Sequence, residues 1–229
     1  MKAATRAEPS LSVLTNILGA AGEKVKRHLV LQSISDVLEL AGVAIVPYYV
    51  FEEDISDKLA LNLNPVSGAG PVVPGFLAEA EVERLCLKPE CRDLALDIDK
   101  LRDNGCRCFA LKQGPEVLAY MLCNFRECDS RLLAFPLKED EVYLTGAFTF
   151  PAHRGKNLAA VMEYELYKHL SAMGRRRYHS INLLLNAPSL KFKEKLRSRP
   201  VRLCLYLGLF GKFHRDITLR RYGKRAAHG

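Results

Sequence analysis

The chain has 229 residues, 48% of them hydrophobic, with a formal net charge of +8, which suits one sizeable domain or a domain with an extension. No apolar run reaches the roughly 20 residues of a membrane span, and the N-terminus lacks the compact apolar core of a signal peptide. The seven cysteines are odd in number and show no zinc-ligand spacing, which predicts a cytoplasmic protein with reduced cysteines and no metal.

The charge is unevenly distributed along the chain. The segment from Pro151 onward holds 18 of the 34 Lys and Arg residues but 4 of the 26 Asp and Glu residues. A basic C-terminal part joined to a slightly acidic N-terminal part predicts an anionic partner near the basic part. Nucleic acid, a polyanionic cofactor, an acidic carrier protein and anionic lipid all fit this asymmetry.

Helical patterns dominate the first part of the chain. The predicted elements are helices over 11–18 and 25–40, a strand over 43–51, a loop over 62–74 and helices over 76–87 and 91–104. The second helix begins with the basic patch Lys24-Val25-Lys26-Arg27-His28. This patch fits contact with a membrane surface, or the solvated face of a packed helix.

Strands become more frequent in the second part. The predicted elements are strands over 106–111 and 116–124 joined by a hairpin turn, a segment over 131–137 at the sheet edge, a strand over 142–150, a helix over 158–173, a strand over 179–185, a basic helix over 186–199 and a hairpin of strands over 201–210 and 213–221. Helices must cover the faces of such a sheet, which predicts an α/β or α+β domain built on a single sheet.

The sharpest chemical signal lies in the stretch 141–162, where a strand runs into Pro151, a short basic turn and a helix. The first N–H groups of a helix have no partner within it, and the helix dipole favours negative charge there. Arg154 and Lys156 add positive charge to this terminus. The stretch therefore predicts a binding site for phosphate or pyrophosphate.

This order of elements resembles the GNAT superfamily of acyl-CoA-dependent N-acyltransferases over residues 75–221. The sequence RGKNLA at 154–159 is similar to the family's pyrophosphate loop, Arg/Gln-x-x-Gly-x-Gly/Ala. The sequence NAPS at 186–189 resembles its Asn-x-x-Ala/Ser helix, which lies along the pantetheine arm. The resemblance implies a single mixed, mainly antiparallel sheet flanked by helices, with an N-terminal helical extension plus strand over 1–64 and a basic tail over 222–229.

The resemblance also implies a donor and a set of residues that hold it. The donor is acetyl-CoA or another acyl-CoA, the acceptor is an amine, and no metal takes part. The implied cofactor residues are Phe148, Thr149 and Phe150 beside the pantetheine, Arg154, Gly155, Lys156, Asn157, Leu158, Ala159 and Ala160 at the pyrophosphate, and Asn186 and Ser189 on the next helix. A backbone N–H within 148–150 would stabilise the oxyanion.

The chain departs from the family pattern at two positions. Asn157 replaces the middle glycine of the loop, and asparagine tolerates the left-handed conformation that the loop requires. Lys193 stands seven residues after Asn186, where the family usually has a tyrosine that protonates the departing thiolate. The acid is then Lys193 or Tyr206, or the thiolate leaves without one. Lys193 also fits a solvated residue on a basic helix.

Two residues are candidates for the general base. Glu141 begins the central strand, where members of the family often place a carboxylate that acts through water, and partial burial would raise its pKa toward working pH. His179 lies on the following strand. Both also fit structural roles, Glu141 as a solvated strand-end residue and His179 as a packed histidine, whereas His153 fits an anion contact in the turn.

The leading interpretation is an N-acyltransferase that moves an acetyl or longer acyl group from CoA to an amine. The alternatives are an enzyme that takes its acyl group from acyl carrier protein, a CoA-binding module without catalysis, and a nucleic-acid-binding protein built on the basic runs 175–177 and 220–225. Nucleic acid is not expected, because those runs lack interleaved aromatic platforms. The sequence does not determine whether the protein is a homodimer, which amine is the acceptor, or how long the acyl chain is.

Overall fold

The computed structural model describes residues 42–61, 71–91, 94 and 105–223. The helices predicted over 11–18 and 25–40 lie outside the described residues, as do most of the predicted helix over 91–104 and of the tail over 222–229. The chain divides into two compact units, Met1–Val46 with Tyr206–Arg215, and Pro47–Leu205 with Asp216–Gly229. No helix within the described ranges is long and apolar enough to cross a membrane.

The described elements are ten strands, four helices and two 3₁₀ turns. In chain order they are β1 (Val43–Asp54), α1 (Ile55–Leu59), β2 (Val73–Phe76), α2 (Glu79–Cys86), a 3₁₀ turn (Pro89–Cys91), β3 (Cys106–Gln113), β4 (Glu116–Asn124), β5 (Glu127–Ser130), β6 (Leu133–Pro136), β7 (Glu141–Thr149), a 3₁₀ turn (Pro151–His153), α3 (Leu158–Ala172), β8 (Arg177–Leu183), α4 (Ala187–Lys195), β9 (Pro200–Leu209) and β10 (Phe213–Arg221).

Eight of the strands form one sheet in the order β10-β9-β1-β8-β7-β4-β3-β2, and β5 and β6 form a separate hairpin. β7 and β8 pair in parallel, whereas β1–β8, β4–β7, β3–β4 and β2–β3 are antiparallel. This mixed, mainly antiparallel sheet with flanking helices confirms the predicted fold class.

The core forms where α3 covers one face of the sheet. The apolar residues of α3 recur at helical spacing, and Leu158, Met162, Leu166 and Leu170 are buried. They pack in one cluster with residues of β3, β4, β7 and β8. β4 reads as an almost continuous apolar run because it is buried along its whole length after Glu116.

Three predicted elements differ in the structure. Part of the loop predicted over 62–74 is the edge strand Val73–Phe76, since an edge strand tolerates the proline and glycine that indicate a loop. The helix predicted from residue 76 begins at Glu79. The segment over 131–137 does not extend the main sheet, because Leu133–Pro136 pairs with Glu127–Ser130.

Two irregularities in β7 open the sheet at its centre. The parallel pairing of β7 with β8 ends at Leu144 opposite Ser180, although β7 continues to Thr149. On its other side, the register of β7 with β4 shifts around Gly146, which has a φ of 62°. A bulge of this kind bends the strand and redirects its backbone groups.

Gly146→Ala is expected to lower the free energy of unfolding by about 1 to 2 kcal/mol, because an L-residue is strained in the left-handed conformation. A Cβ would also lie 3.3 Å from the Leu122 side chain. Gly75→Ala is the matched control, since Gly75 has no positive φ and a Cβ there meets nothing within 4 Å. Urea denaturation measures both variants, and equal losses would contradict a strained bulge.

Candidate active site

A cavity of about 730 Å³ lies where β7 and β8 diverge. Its walls are the second half of β7, residues 180–182 of β8, the turn and first residues of α3 over 153–160, and α4 with its preceding residue Asn186. Ten of the twelve predicted cofactor residues line it. Phe150 does not, because its ring packs against Tyr120 and Phe148, and neither does the exposed Lys156.

The turn before α3 provides one end of the cavity with backbone donors. The first i→i−4 bond of α3 runs from Val161 N to Asn157 O at 3.3 Å. The N–H groups of Leu158, Ala159 and Ala160 precede that bond, so the helix itself does not use them. The guanidinium of Arg154 lies at the end of β7 and donates from Nε to Thr149 O at 3.1 Å. These unpaired donors and this positive charge suit a bound anion, and residues 154–160 are named the anion seat for that reason.

Asn157 adopts the left-handed conformation that its position requires, with φ 61° and ψ 16°. Lys195 Nζ, at the end of α4, donates to Asn157 Oδ1 at 2.7 Å. This bond ties the turn to α4 and places a second positive charge beside the anion seat. Asn157 thus adopts the backbone conformation that the loop requires, and its side chain binds Lys195.

Polar side chains continue along the wall formed by β8 and α4. Asn186 caps α4, where its Oδ1 accepts a hydrogen bond from Ser189 N at 3.1 Å. Asn182 Nδ2 donates to Ser189 Oγ at 2.6 Å. The Asn186 cap uses the carbonyl oxygen and leaves the amide nitrogen as a donor, which suits the amide carbonyls of a pantetheine arm.

Lys193 is buried, with 3% of its surface exposed, although it lines the cavity. Its Nζ donates to Glu163 Oε1 at 2.5 Å, and Tyr167 Oη donates to the same oxygen at 2.5 Å. The interpretation of Lys193 as a solvated residue is therefore wrong, because α3 supplies a buried counter-charge. Glu163 was missed by sequence reasoning, although its position one turn from Ala160 and Tyr167 on a buried helix face is a usable signal.

Glu141 and His179 face each other at the start of β7 and β8. Glu141 Oε2 lies 3.5 Å from His179 Nε2, too far for a strong hydrogen bond, and it accepts one from Lys138 N at 3.1 Å. Glu141 is 5% exposed, so it is not a solvated strand-end residue. Burial lowers the pKa of His179, and the Glu141 carboxylate partly opposes that shift.

The Glu141 carboxylate and the His179 imidazole do not line the cavity. Both residues precede the point at which β7 and β8 diverge. Glu141 is three residues before Leu144, which corresponds to about 10 Å along the strand. A base at that separation would need a chain of more than one water to reach the end of the β7–β8 pairing. The ring of Phe135, from the β5–β6 hairpin, covers His179 with ring centroids 5.2 Å apart.

The remaining candidates lie in other surroundings. Tyr206 is in the other compact unit, where its ring stacks on His214 with centroids 6.1 Å apart. His153 lines the cavity, and its Nε2 contacts Glu116 Oε1 at 3.0 Å. The part of the chain that the structure describes contains no cluster of three or more His, Cys, Asp or Glu residues suited to a metal, and the seven cysteines are free thiols.

Comparison with known sequences identifies one family. The sequence model described as Acetyltransferase (GNAT) family matches residues 75–197. No curated protein matches the chain.

Solved structures share the fold at low sequence identity. A Drosophila protein has a TM-score of 0.51 at 7% identity and covers 80% of this chain and 58% of its own. A conserved protein of unknown function from Staphylococcus epidermidis has a TM-score of 0.51 at 5% sequence identity, and the match covers 75% of this chain and 64% of that protein. A GCN5-related N-acetyltransferase-like protein from Streptococcus suis has a TM-score of 0.50 at 15% sequence identity, and the match covers 76% of this chain and 67% of that protein. The chain thus spans less than two thirds of the length of the first two.

Proposed function

The chain belongs to the GNAT acetyltransferase family, and we propose that it is an N-acyltransferase that moves an acetyl or longer acyl group from coenzyme A to an amine. The observation that carries this proposal is the cavity between the diverging strands β7 and β8, which ends at the backbone donors of the turn before α3. Its volume of about 730 Å³ lies within the range of small-molecule sites.

The cavity suits the two chemical parts of coenzyme A. The pyrophosphate would accept hydrogen bonds from the N–H groups of residues 155–160, with charge from Arg154 and Lys195. The pantetheine arm would lie between the backbone of Phe148 and Thr149 and the side chains of Asn186 and Ser189. A backbone N–H of β7, beyond its pairing with β8, would stabilise the oxyanion of the thioester carbonyl.

The reaction needs a base for the attacking amine, and Glu141 with His179 supports that role. The amine nitrogen attacks the carbonyl carbon of the thioester, and its proton passes through water to this pair. His179 is neutral over more of the pH range than an ordinary histidine because burial lowers its pKa. A neutral imidazole beside a carboxylate can accept a proton and share the positive charge.

A donor carried by acyl carrier protein is the second candidate. It is favoured by the basic residues along the cavity, since Lys191 and Lys195 are exposed on α4 and would attract an acidic partner. The same lysines suit the phosphates of free coenzyme A. Comparing acetyl-CoA with an acetylated carrier protein as donor separates the two sources.

Arg154→Ala is expected to weaken CoA binding by about 10- to 100-fold, because a hydrogen bond to a charged group contributes about 1.5 to 3 kcal/mol. Isothermal titration calorimetry measures the dissociation constant. Lys168→Met is the matched control, since it removes a positive charge that pairs with Glu165 on the outer side of α3. Equal affinity of Arg154→Ala and wild type for CoA would show that Arg154 does not contact the bound pyrophosphate.

Release of free thiol from acetyl-CoA with a panel of amines tests the reaction itself. Thiol release that depends on the amine supports an acyltransferase. Saturable CoA binding without thiol release for any amine would instead indicate a binding module. Absence of CoA binding, combined with salt-sensitive binding of DNA or RNA, would overturn the proposal in favour of a nucleic-acid-binding protein.

A further inference from the structure

Ser180 carries a buried polar atom whose partner is not explained by the fold. It is 3% exposed, it lines the cavity, and its Oγ has no hydrogen-bond partner among the described residues. Ser180 is also the last residue of β8 that pairs with β7 before the strands diverge. Buried hydroxyl groups are normally hydrogen-bonded, so an unpaired one on a cavity wall points to a ligand atom.

The ammonium group of Lys193 lies on the same side of the sheet as Ser180, and both residues line the cavity. Phe51 is directly opposite Ser180 on β1, and Tyr178 is two residues before it on the same face of β8. Lys193 Nζ lies 5.7 Å from the ring centroid of Phe51 and 5.1 Å from that of Tyr178. The hydroxyl and the ammonium therefore flank the same end of the cavity, opposite the anion seat.

The orientation of the donor determines which ligand atom reaches this end. A coenzyme A molecule with its pyrophosphate on the turn before α3 extends its pantetheine arm along the cavity, away from the seat. The arm ends in sulfur. The two hydrogen-bond donors beside the last β7–β8 pair, a hydroxyl and an ammonium, match an atom that becomes negatively charged when the thioester is cleaved.

We propose that Ser180 Oγ and Lys193 Nζ form a cradle for the sulfur of the donor thioester, with Glu163 as the positioning residue that holds Lys193. The inference depends on the proposed function and deepens it. As the amine nitrogen bonds to the carbonyl carbon, the C–S bond breaks and its electron pair goes to sulfur. The thiolate accepts hydrogen bonds from both groups and takes a proton from water as CoA leaves.

Glu163 is fully buried, and its contacts hold the lysine in place. Glu163 Oε1 accepts hydrogen bonds from both Lys193 Nζ and Tyr167 Oη, so the ammonium cannot move along its flexible chain without losing a buried partner. Glu163 Oε2 has no partner among the described residues. The pair replaces one tyrosine of the family pattern with a charged donor and its counter-ion.

Other ionisable groups surround this end of the cavity and enter any pH dependence. They are Glu163 and Tyr167 on α3, Tyr178 on β8, Glu53 on β1 and Lys58 on α1, which pairs with Glu53 at 2.6 Å. Burial raises the pKa of the Tyr167 and Tyr178 phenols well above the usual value, so both remain neutral donors near neutral pH.

The test compares CoA with desulfo-CoA, in which hydrogen replaces the thiol, and it needs no acceptor. Calorimetry at pH 6.5 and pH 9 gives both dissociation constants for wild type, Ser180→Ala, the double variant Lys193→Met/Glu163→Gln and the control Lys168→Met. A thiol loses its proton as the pH rises, so a site that binds the thiolate binds CoA more tightly at high pH. The change for desulfo-CoA corrects for every effect of pH on the phosphates and on the protein.

Wild type and Lys168→Met are expected to bind CoA several-fold more tightly at pH 9 than at pH 6.5 after that correction, with a limit of about tenfold for each unit by which the site lowers the pKa of the bound thiol. The corrected ratio should fall toward one in Ser180→Ala and in the double variant. A ratio near one in wild type, or the same ratio in all variants, would overturn the cradle. If the double variant does not fold, the corrected ratio in Ser180→Ala alone tests the cradle.

The outcomes separate this inference from the proposed function. Binding of both ligands with no thiol-dependent change with pH overturns the cradle and leaves the function intact. Failure of wild type to bind either ligand at both pH values overturns the proposed function and the cradle with it. Tighter binding of CoA at high pH that is lost with Ser180→Ala supports both.

Discussion

Lys193→Met is expected to lower the free energy of unfolding by about 3 to 5 kcal/mol, because the substitution leaves the Glu163 carboxylate buried without its counter-charge. Glu163 is fully buried, and Lys193 is its only charged partner among the described residues. Tyr167 can still donate to the carboxylate, but it carries no charge. Guanidinium denaturation followed by far-UV circular dichroism measures the change.

The double variant Lys193→Met/Glu163→Gln serves as the matched comparison. Removal of both charges leaves no buried ion, so the loss should be clearly smaller than in Lys193→Met, and the two substitutions should be strongly non-additive. Lys168→Met breaks an exposed pair with Glu165 on the same helix and should change stability by less than about 1 kcal/mol. A loss in Lys193→Met no larger than in Lys168→Met would show that the buried pair does not form.

Glu141→Gln is expected to lower kcat by about 10²- to 10⁴-fold, the range that general acid–base catalysis typically contributes. The affinity for CoA should stay unchanged, because Glu141 lies outside the cavity wall. Steady-state kinetics with an amine that the protein accepts, together with calorimetry of CoA binding, provide both quantities. A parallel loss of kcat and of CoA affinity would indicate that the substitution disturbs the sheet and not the base.

The pH dependence of the same variant identifies the titrating group. Burial lowers the pKa of His179 below its usual value of about 6.5, and the Glu141 carboxylate raises it. The acid limb of the kcat profile is therefore expected below pH 6.5 in wild type, and at still lower pH in Glu141→Gln. The unfolded chain binds the His179 proton first, so this residue costs stability as the pH falls through 6.5. A limb that moves to higher pH in Glu141→Gln would exclude His179.

The anion seat could be predicted from sequence because all its determinants are local. Pro151 ends β7, Gly155 and Asn157 supply the positive φ values of the turn, and the apolar pattern from Leu158 starts the helix. Each of these signals acts within a few residues of its effect. The same reason explains why the hairpin of β3 and β4 was predicted correctly around Gly114.

The chemical environment at the other end of the cavity could not be predicted, because long-range contacts determine it. The charge on Lys193 suggests a solvated residue until α3 brings Glu163 to within 2.5 Å, across 30 positions of sequence. Ser180 becomes notable only because β7 and β8 diverge at that residue. Likewise, Val43–Asp54 is grouped with an N-terminal extension in the sequence, whereas the sheet places this strand beside β8.

The buried pair of Lys193 and Glu163 has a consequence for the evolution of this site. A chain that acquired either charge alone would hold an uncompensated buried ion. Its free energy of unfolding would be lower by several kcal/mol, which is a large part of the stability of a typical domain. The two positions should therefore change together among relatives of this chain. Those with a tyrosine at the position of Lys193 should have a neutral residue at that of Glu163, and intermediates with one charge should be rare.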